Sequence, residues 1–192
     1  MKRTILTITA AALLISTSAF AQSVGEKTGV NSTLGISPTT ADFVKEAAMS
    51  DMTEIAASKL GQERGNAQEK TFASQMITDH TKTSDQLKSM APADAKAAIP
   101  TGLDSSSQSK IDKLKDAKPD SFSSDFDSMQ VSAHKDAVSL FERYAKSGED
   151  PKLKDWAGET RSCAPQIVFL VRWPRGRRPR PGASASVRRV TW

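Results

Sequence analysis

Two histidines, His80 and His134, and the carboxylate of Glu54 are the side chains best placed to do chemistry in this chain of 192 residues. Imidazole nitrogen and carboxylate oxygen together suit zinc, iron, manganese or copper. Neither histidine can chelate along its own helix, because the positions four residues away are Met76 and Ser84 for His80, and Gln130 and Val138 for His134. A carboxylate-bridged di-iron centre in a helical bundle asks for Glu three residues before His; those positions hold Ile77 and Val131. A metal site would therefore draw His80, His134 and Glu54 from separate helices, with a further helix supplying another ligand. The same residues also read as a structural polar layer, in which His80 hydrogen-bonds across to Glu54 or His134 and fixes which helices are neighbours. Such a layer titrates near neutral pH, since an ordinary His does so near ~6.5. Asp79 points about 100° around the helix from His80 and is expected to face solvent or to cap a neighbour.

Other constellations are weaker. Cys163 is the single cysteine, which excludes a disulfide scaffold and a Cys-based zinc module. It also lies in the Arg-rich tail after Thr160, outside the helical pattern that carries both histidines, which argues against a Cys–His nucleophile. The serines between Ser105 and Ser128 have no base beside them and read as linker and capping residues. No phosphate-cradling or dinucleotide-binding glycine pattern occurs. Met49, Met52, Met76, Met90 and Met129 fall on helical stripes and read as core filling.

These residues need helices to position them. Thr39 and Asp42 have capping-box spacing around Pro38. Phe43, Ala47, Ala48, Met52, Ile55, Ala56 and Leu60 then recur at spacings of three and four, until Gly61 and Gly65 end the helix. Asn66 with Glu69 caps a second helix, whose apolar face is Phe72, Ala73, Met76, Ile77, His80, Leu87 and Ala91, closed by Pro92. A short helix over 104–117 follows, with Ile111 and Leu114 as its apolar residues. Beyond Pro119, the stripe Phe122, Phe126, Met129, Ala133, Ala137, Leu140 and Tyr144 runs with Val131, His134, Val138 and Phe141 beside it, and Gly148 stops it. Asp150 and Pro151 open a last helix through Leu153 and Trp156. No segment before residue 160 alternates as a strand does. The expected fold is all-α, an antiparallel bundle of four helices, since each amphipathic stripe must be buried against others.

The charges are segregated. Residues 1–21 carry only Lys2 and Arg3; residues 161–192 carry eight Arg and no Lys, Asp or Glu; the remainder holds 17 basic against 22 acidic residues. Lys2 and Arg3, the apolar run Ile5 to Ile15 and the small-residue ending Ala19-Phe20-Ala21 have the layout of a secretory signal peptide cleaved near Ala21/Gln22. The run is too short to span a bilayer, which wants about 20 residues. The mature chain is thus expected in the periplasm or secreted. Residues 22–37, rich in Gly, Ser, Thr and Asn, read as a flexible lead.

Asp42-Phe43-Val44 with Glu54, the run Phe72-Ala73-Ser74-Gln75-Met76-Ile77-Thr78-Asp79-His80, and His134 followed by Leu140-Phe141-Glu142 and Lys146-Ser147-Gly148 resemble the bacterial family called domain of unknown function 4142. The resemblance runs from about Asp42 to about Thr160. It implies a ferritin-like four-helix domain over 38–160 and an exported protein, members often being labelled outer-membrane or secreted; it implies no activity. After Thr160 the family would continue with a Leu-Pro turn and a helix carrying a histidine, whereas this chain turns to Arg, Pro and Trp. Lys supplies 16 of the 27 basic residues overall and none of the last 32. That switch reads as a disordered tail or the product of a reading-frame shift, leaving the last helix truncated or aberrant. Taken as native, the tail would suit anionic lipid or envelope polysaccharide better than nucleic acid, through its Arg residues with Trp173 and Trp192. Its uncharged, β-prone run at 166–171 is an aggregation hazard. The functional expectation is a non-enzymatic envelope or stress-related binding module, with a metal-binding bundle using His80, His134 and Glu54 as the alternative.

Overall fold

The computed structural model describes residues 24–26 and 28–161 of the chain. The expected signal segment and the tail beyond Arg161, with Cys163 and its Trp residues, lie outside the described residues. Every regular element among the described residues is α-helical: α1 (Val30–Leu34), α2 (Thr40–Arg64), α3 (Ala67–Met90), α4 (Ala93–Lys96), α5 (Ser105–Lys115), α6 (Pro119–Ser147) and α7 (Pro151–Arg161).

Most local signals for helix ends act as the sequence suggests, although Gly65 alone closes α2 and Gly61, expected to help end it, lies inside the helix. Thr39 Oγ1 accepts the Asp42 backbone N–H at 3.2 Å, and Asn66 Oδ1 accepts those of Gln68 and Glu69 at 2.9 and 3.1 Å. Glu69 reaches back to the Asn66 N–H at 2.8 Å, completing a capping box. Asp104 caps α5 through Ser107, and Asp150 caps α7 through Leu153, each at 2.8 Å. These caps satisfy N–H groups that a helix start leaves open.

Tight connections at Gly65-Asn66 and at 148–150 fold α2 back on α3 and α6 back on α7. α2 packs on both α3 and α6, and α7 also touches α3, giving an antiparallel four-helix arrangement with α5 across α2. Arg64 braces α5 by donating to the carbonyls of Leu114, Lys115 and Ala117, with its guanidinium 4.4 Å above the Phe122 ring.

The core falls into two apolar clusters. One gathers Phe43, Leu87, Leu140, Tyr144, Leu153 and Trp156 among others; here Phe43 stacks on Tyr144 at 4.0 Å, and the Tyr144 hydroxyl pairs with Thr40 Oγ1 at 2.8 Å. The second gathers Ala57, Ala73, Ile111, Leu114, Phe122 and Phe126. Between them on α2 lie Asp51 and Glu54, on α3 His80, and on α6 Gln130 and His134. The apolar core is thus interrupted by a polar layer at mid-height.

One expectation needs correction. The inward face of α2 is Ala47, Ala48, Asp51, Glu54, Ala57, Ser58 and Gly61, whereas Met52, Ile55 and Leu60 are only half-buried. Small residues win this face because close approach decides it: a Cβ on Gly61 would stand 2.7 Å from Phe126 Cζ and 3.1 Å from the Ala73 Cβ. Within the lead expected to be flexible, α1 forms between Gly29 and Gly35, both at positive φ. It is held by a long-range ion pair in which Arg143 donates to both oxygens of Glu26 at 2.7 and 2.8 Å and to the Ile36 carbonyl at 2.6 Å.

Candidate functional site

Asp51 and Glu54 are three residues apart on α2, so both carboxylates leave the same face, one turn apart. Their surroundings differ completely. Asp51 accepts from His80 Nδ1 at 2.8 Å, from Thr83 Oγ1 at 3.0 Å to each oxygen, and from Ser84 Oγ at 2.9 Å. Donors that α3 supplies within one turn therefore saturate it. Glu54 is 1% exposed, and neither of its oxygens takes part in a well-formed hydrogen bond, the Gln130 amide being only loosely placed to donate one.

Burial accordingly pushes the Glu54 carboxyl up to about 7; the nearby His80 charge and the Gln130 amide pull it back only part of the way, and Asp51 adds to the rise. For His80, burial opposes the charged form, but the hydrogen bond and charge of Asp51, joined by the charge of Glu54, outweigh it and hold the imidazole above its ordinary value. His134 goes the other way. Burial brings it down to about 4, which its hydrogen bond to the Gln130 backbone does not offset and the charge on His80 reinforces.

The tautomer of His134 follows from its partner. Nδ1 lies 2.8 Å from the Gln130 carbonyl oxygen, which can only accept, so Nδ1 carries the hydrogen. In the neutral ring Nε2 then bears the lone pair. That nitrogen is buried and unpartnered. Glu54 Oε1 stands 3.7 Å from Nδ1, and the two imidazole rings meet edge to face with centroids 5.8 Å apart.

The structure thus brings all three sequence-predicted residues, Glu54, His80 and His134, into one layer between α2, α3 and α6. The direct partner of His80 is Asp51, however, not Glu54 or His134, because Asp51 lies level with His80 on the α2 face that opposes α3. Asp79 lies on the outer surface, accepting from Gln75 Nε2 at 2.7 Å. Among the described residues no three His, Cys, Asp or Glu side chains stand close enough to hold a metal ion as they are placed.

Sequence reasoning missed Asp51, Ser58 and Gln130. Ser58 and Gln130 are fully buried, and their side-chain polar atoms join those of Glu54 and His134 as orphans. The available signal was register: Glu54 and Ser58 are one turn apart on α2, and Gln130 and His134 are one turn apart on α6. Each pair is a polar i, i+4 step within a buried face.

The fold and site together define a helical bundle with a buried imidazole–carboxylate layer. A family model described as a domain of unknown function, DUF4142, matches residues 25–166, and the chain belongs to that family. No curated protein and no solved structure matches it. No helix among the described residues is long and apolar enough to cross a membrane.

Proposed function

We propose that this protein is an exported, non-enzymatic binding module whose binding element is the interior polar layer, where a small polar guest sits among Glu54, Ser58, Gln130 and His134. One observation carries the reading: both oxygens of Glu54, Oγ of Ser58, both amide atoms of Gln130 and Nε2 of His134 are buried without a well-formed hydrogen bond, the loose Gln130–Glu54 approach being the one contact among them. An unsatisfied buried polar group costs about 1–3 kcal/mol, and a domain has only about 5–15 kcal/mol of net stability. Leaving this cluster empty would consume most of that margin. A guest able to donate and accept, such as ordered water or a hydrated cation, removes the cost. Export rests on the signal-like layout of residues 1–21.

The test compares the untagged full chain with the double variant Glu54→Leu/Gln130→Leu. Long-lived internal water is read by magnetic relaxation dispersion and bound ions by elemental analysis, with circular dichroism confirming helix content in both. The wild type is expected to hold a guest that the double variant lacks. A wild type with no guest, or the same guest in both proteins, refutes the reading.

A further inference from the structure

Away from the interior layer, we propose that the hollow between α2 and the connection from α4 to α5 is a binding site for an organic cation, a primary ammonium carried on a short alkyl chain. Lys45, Glu46 and Met49 form its α2 side, and residues 97–104 form the other. Met49 is four residues from Lys45 and three from Glu46, so the three side chains leave one face of the helix. The connection is placed by its two ends. Ala98 and Ile99 donate to the carbonyls of Ala95 and Lys96, extending α4 by a turn, and Pro100 then stops it. At the far end Asp104 caps α5. Ile99 packs against the first apolar cluster and Leu103 against the second, so the segment is pinned at both sides of a hollow of about 570 Å³. Sites for small molecules run from about 300 to 1,000 Å³.

Charge and lining set the ligand class. The carboxylates of Glu26, Asp42 and Asp104 act on Glu46 together, against the single ammonium of Lys45. Those three already have donors: Glu26 accepts from Arg143, Asp42 from the Thr39 hydroxyl and Asp104 from the Ser107 N–H. Glu46 is half-buried at the wall of the hollow. Burial pushes its carboxyl above the ordinary value; Lys45 offsets this in part, and the neighbouring carboxylates add to it. A further cation beside Glu46 relieves that burden, whereas an anionic ligand would gain Lys45 alone and meet the carboxylates. Met49, Ile99 and Leu103 supply apolar surface, which an alkyl chain buries and a hydrated inorganic cation does not use. The ammonium of the ligand therefore goes to Glu46 and Asp104 and its chain to Met49, Ile99 and Leu103, with Lys45 as the competitor for Glu46.

The experiment adds n-hexylammonium chloride to the ¹⁵N-labelled, untagged full chain and follows the backbone amides by NMR, with hexanol and ammonium chloride as separate arms. The expected result is one saturable site with a Kd of about 0.1–1 mM, its shifts centred on residues 45–49 and 97–104. Shortening the chain from hexyl to butyl should weaken binding by roughly two- to fourfold per methylene. Hexanol should bind about tenfold more weakly, because it lacks the charge-assisted hydrogen bond, and Glu46→Gln should cost about the same factor. Lys45→Met should tighten binding by removing the competing ammonium. Wild-type shifts that do not saturate, that centre elsewhere on the bundle, or that hexanol reproduces at equal concentration overturn the proposal without relying on any variant's folding. Equal shifts from ammonium chloride overturn it as well, by reducing the effect to ionic strength. None of these outcomes bears on the interior layer, with which the hollow shares no residue.

Discussion

Replacing Glu54 by Gln in the metal-free protein isolates the electrostatic cost of the layer. The carboxyl titrates near 4.5 in the unfolded chain and is raised to about 7 in the fold. A raised acid binds its proton more tightly when folded, so folding is unaffected well below pH 4.5 and loses stability as pH rises through the interval to about 7. At 1.36 kcal/mol per unit, the loss is about 3 kcal/mol above neutrality. Gln keeps the shape and stays neutral, so Glu54→Gln should match the wild type near pH 4 and exceed it by about 3 kcal/mol at pH 8. His134 produces the opposite slope: lowered from 6.5 to about 4, it costs stability as pH falls through that window. In the wild type the two slopes nearly cancel between about pH 4.5 and 6.5. The variant exposes the His134 slope alone, rising by about 3 kcal/mol from pH 4 to 6.5. Urea titrations followed by far-ultraviolet circular dichroism, with chelator, measure this as a midpoint gap growing to roughly 1–2 M. A gap independent of pH would refute the assignment of a neutral, raised carboxyl to this position.

Further outcomes follow from single contacts. Asp51→Asn removes the carboxylate that does most to hold His80 above its ordinary value, leaving burial opposed only by the charges of Glu54 and Asp79; the His80 titration read by NMR should move to lower pH, with a stability loss of about 2 kcal/mol at neutrality. Gly61→Ala puts a methyl 2.7 Å from Phe126 Cζ; overpacking of about 1–3 kcal/mol should exceed the helix-propensity gain of about 1 kcal/mol, so thermal melting should show a lower midpoint. Arg143→Ala strands the buried Glu26 carboxylate, and hydrogen exchange should show the amides of α1 unprotected while those of α2 are unchanged, a local loss of about 3 kcal/mol.

Helix ends were legible because they are local. Thr39, the Asn66–Glu69 pair, Gly148 and the Asp150-Pro151 step each act within four residues, and each appears at an observed boundary. Faces were less legible. Counting apolar residues on α2 selected Met52, Ile55 and Leu60, because hydrophobicity says nothing about how closely two backbones approach. The α2 face that packs is defined by Ala57, Ser58 and Gly61, whose common property is small volume. Asp51 escaped for a related reason: a carboxylate in a helix ordinarily reads as solvated, and only α3, with His80, Thr83 and Ser84 across from it, makes it internal. The tether of the lead to α6 had no local signature, since Glu26 and Arg143 are 117 residues apart.

The polar break in the core is also an energetic argument for function. Above and below it, aromatic stacking of Phe43 with Tyr144 and of Phe122 with Phe126 shows that this sequence packs apolar layers well. Apolar side chains of similar volume in place of a buried ionic group are commonly neutral or stabilising by about 1–4 kcal/mol, so joining the two clusters through the layer would be expected to strengthen the bundle. Helix pairing alone does not require the layer either: the Gly61, Ala73 and Phe126 contact fixes α2 against α3 and α6 by shape. Asp51 on its own would satisfy His80, yet Glu54, Ser58, Gln130 and the inward nitrogen of His134 add polarity that the fold does not pair. Sites that sacrifice stability in this way are where binding is expected, and here the unpaired atoms of the layer lie on the facing sides of α2 and α6.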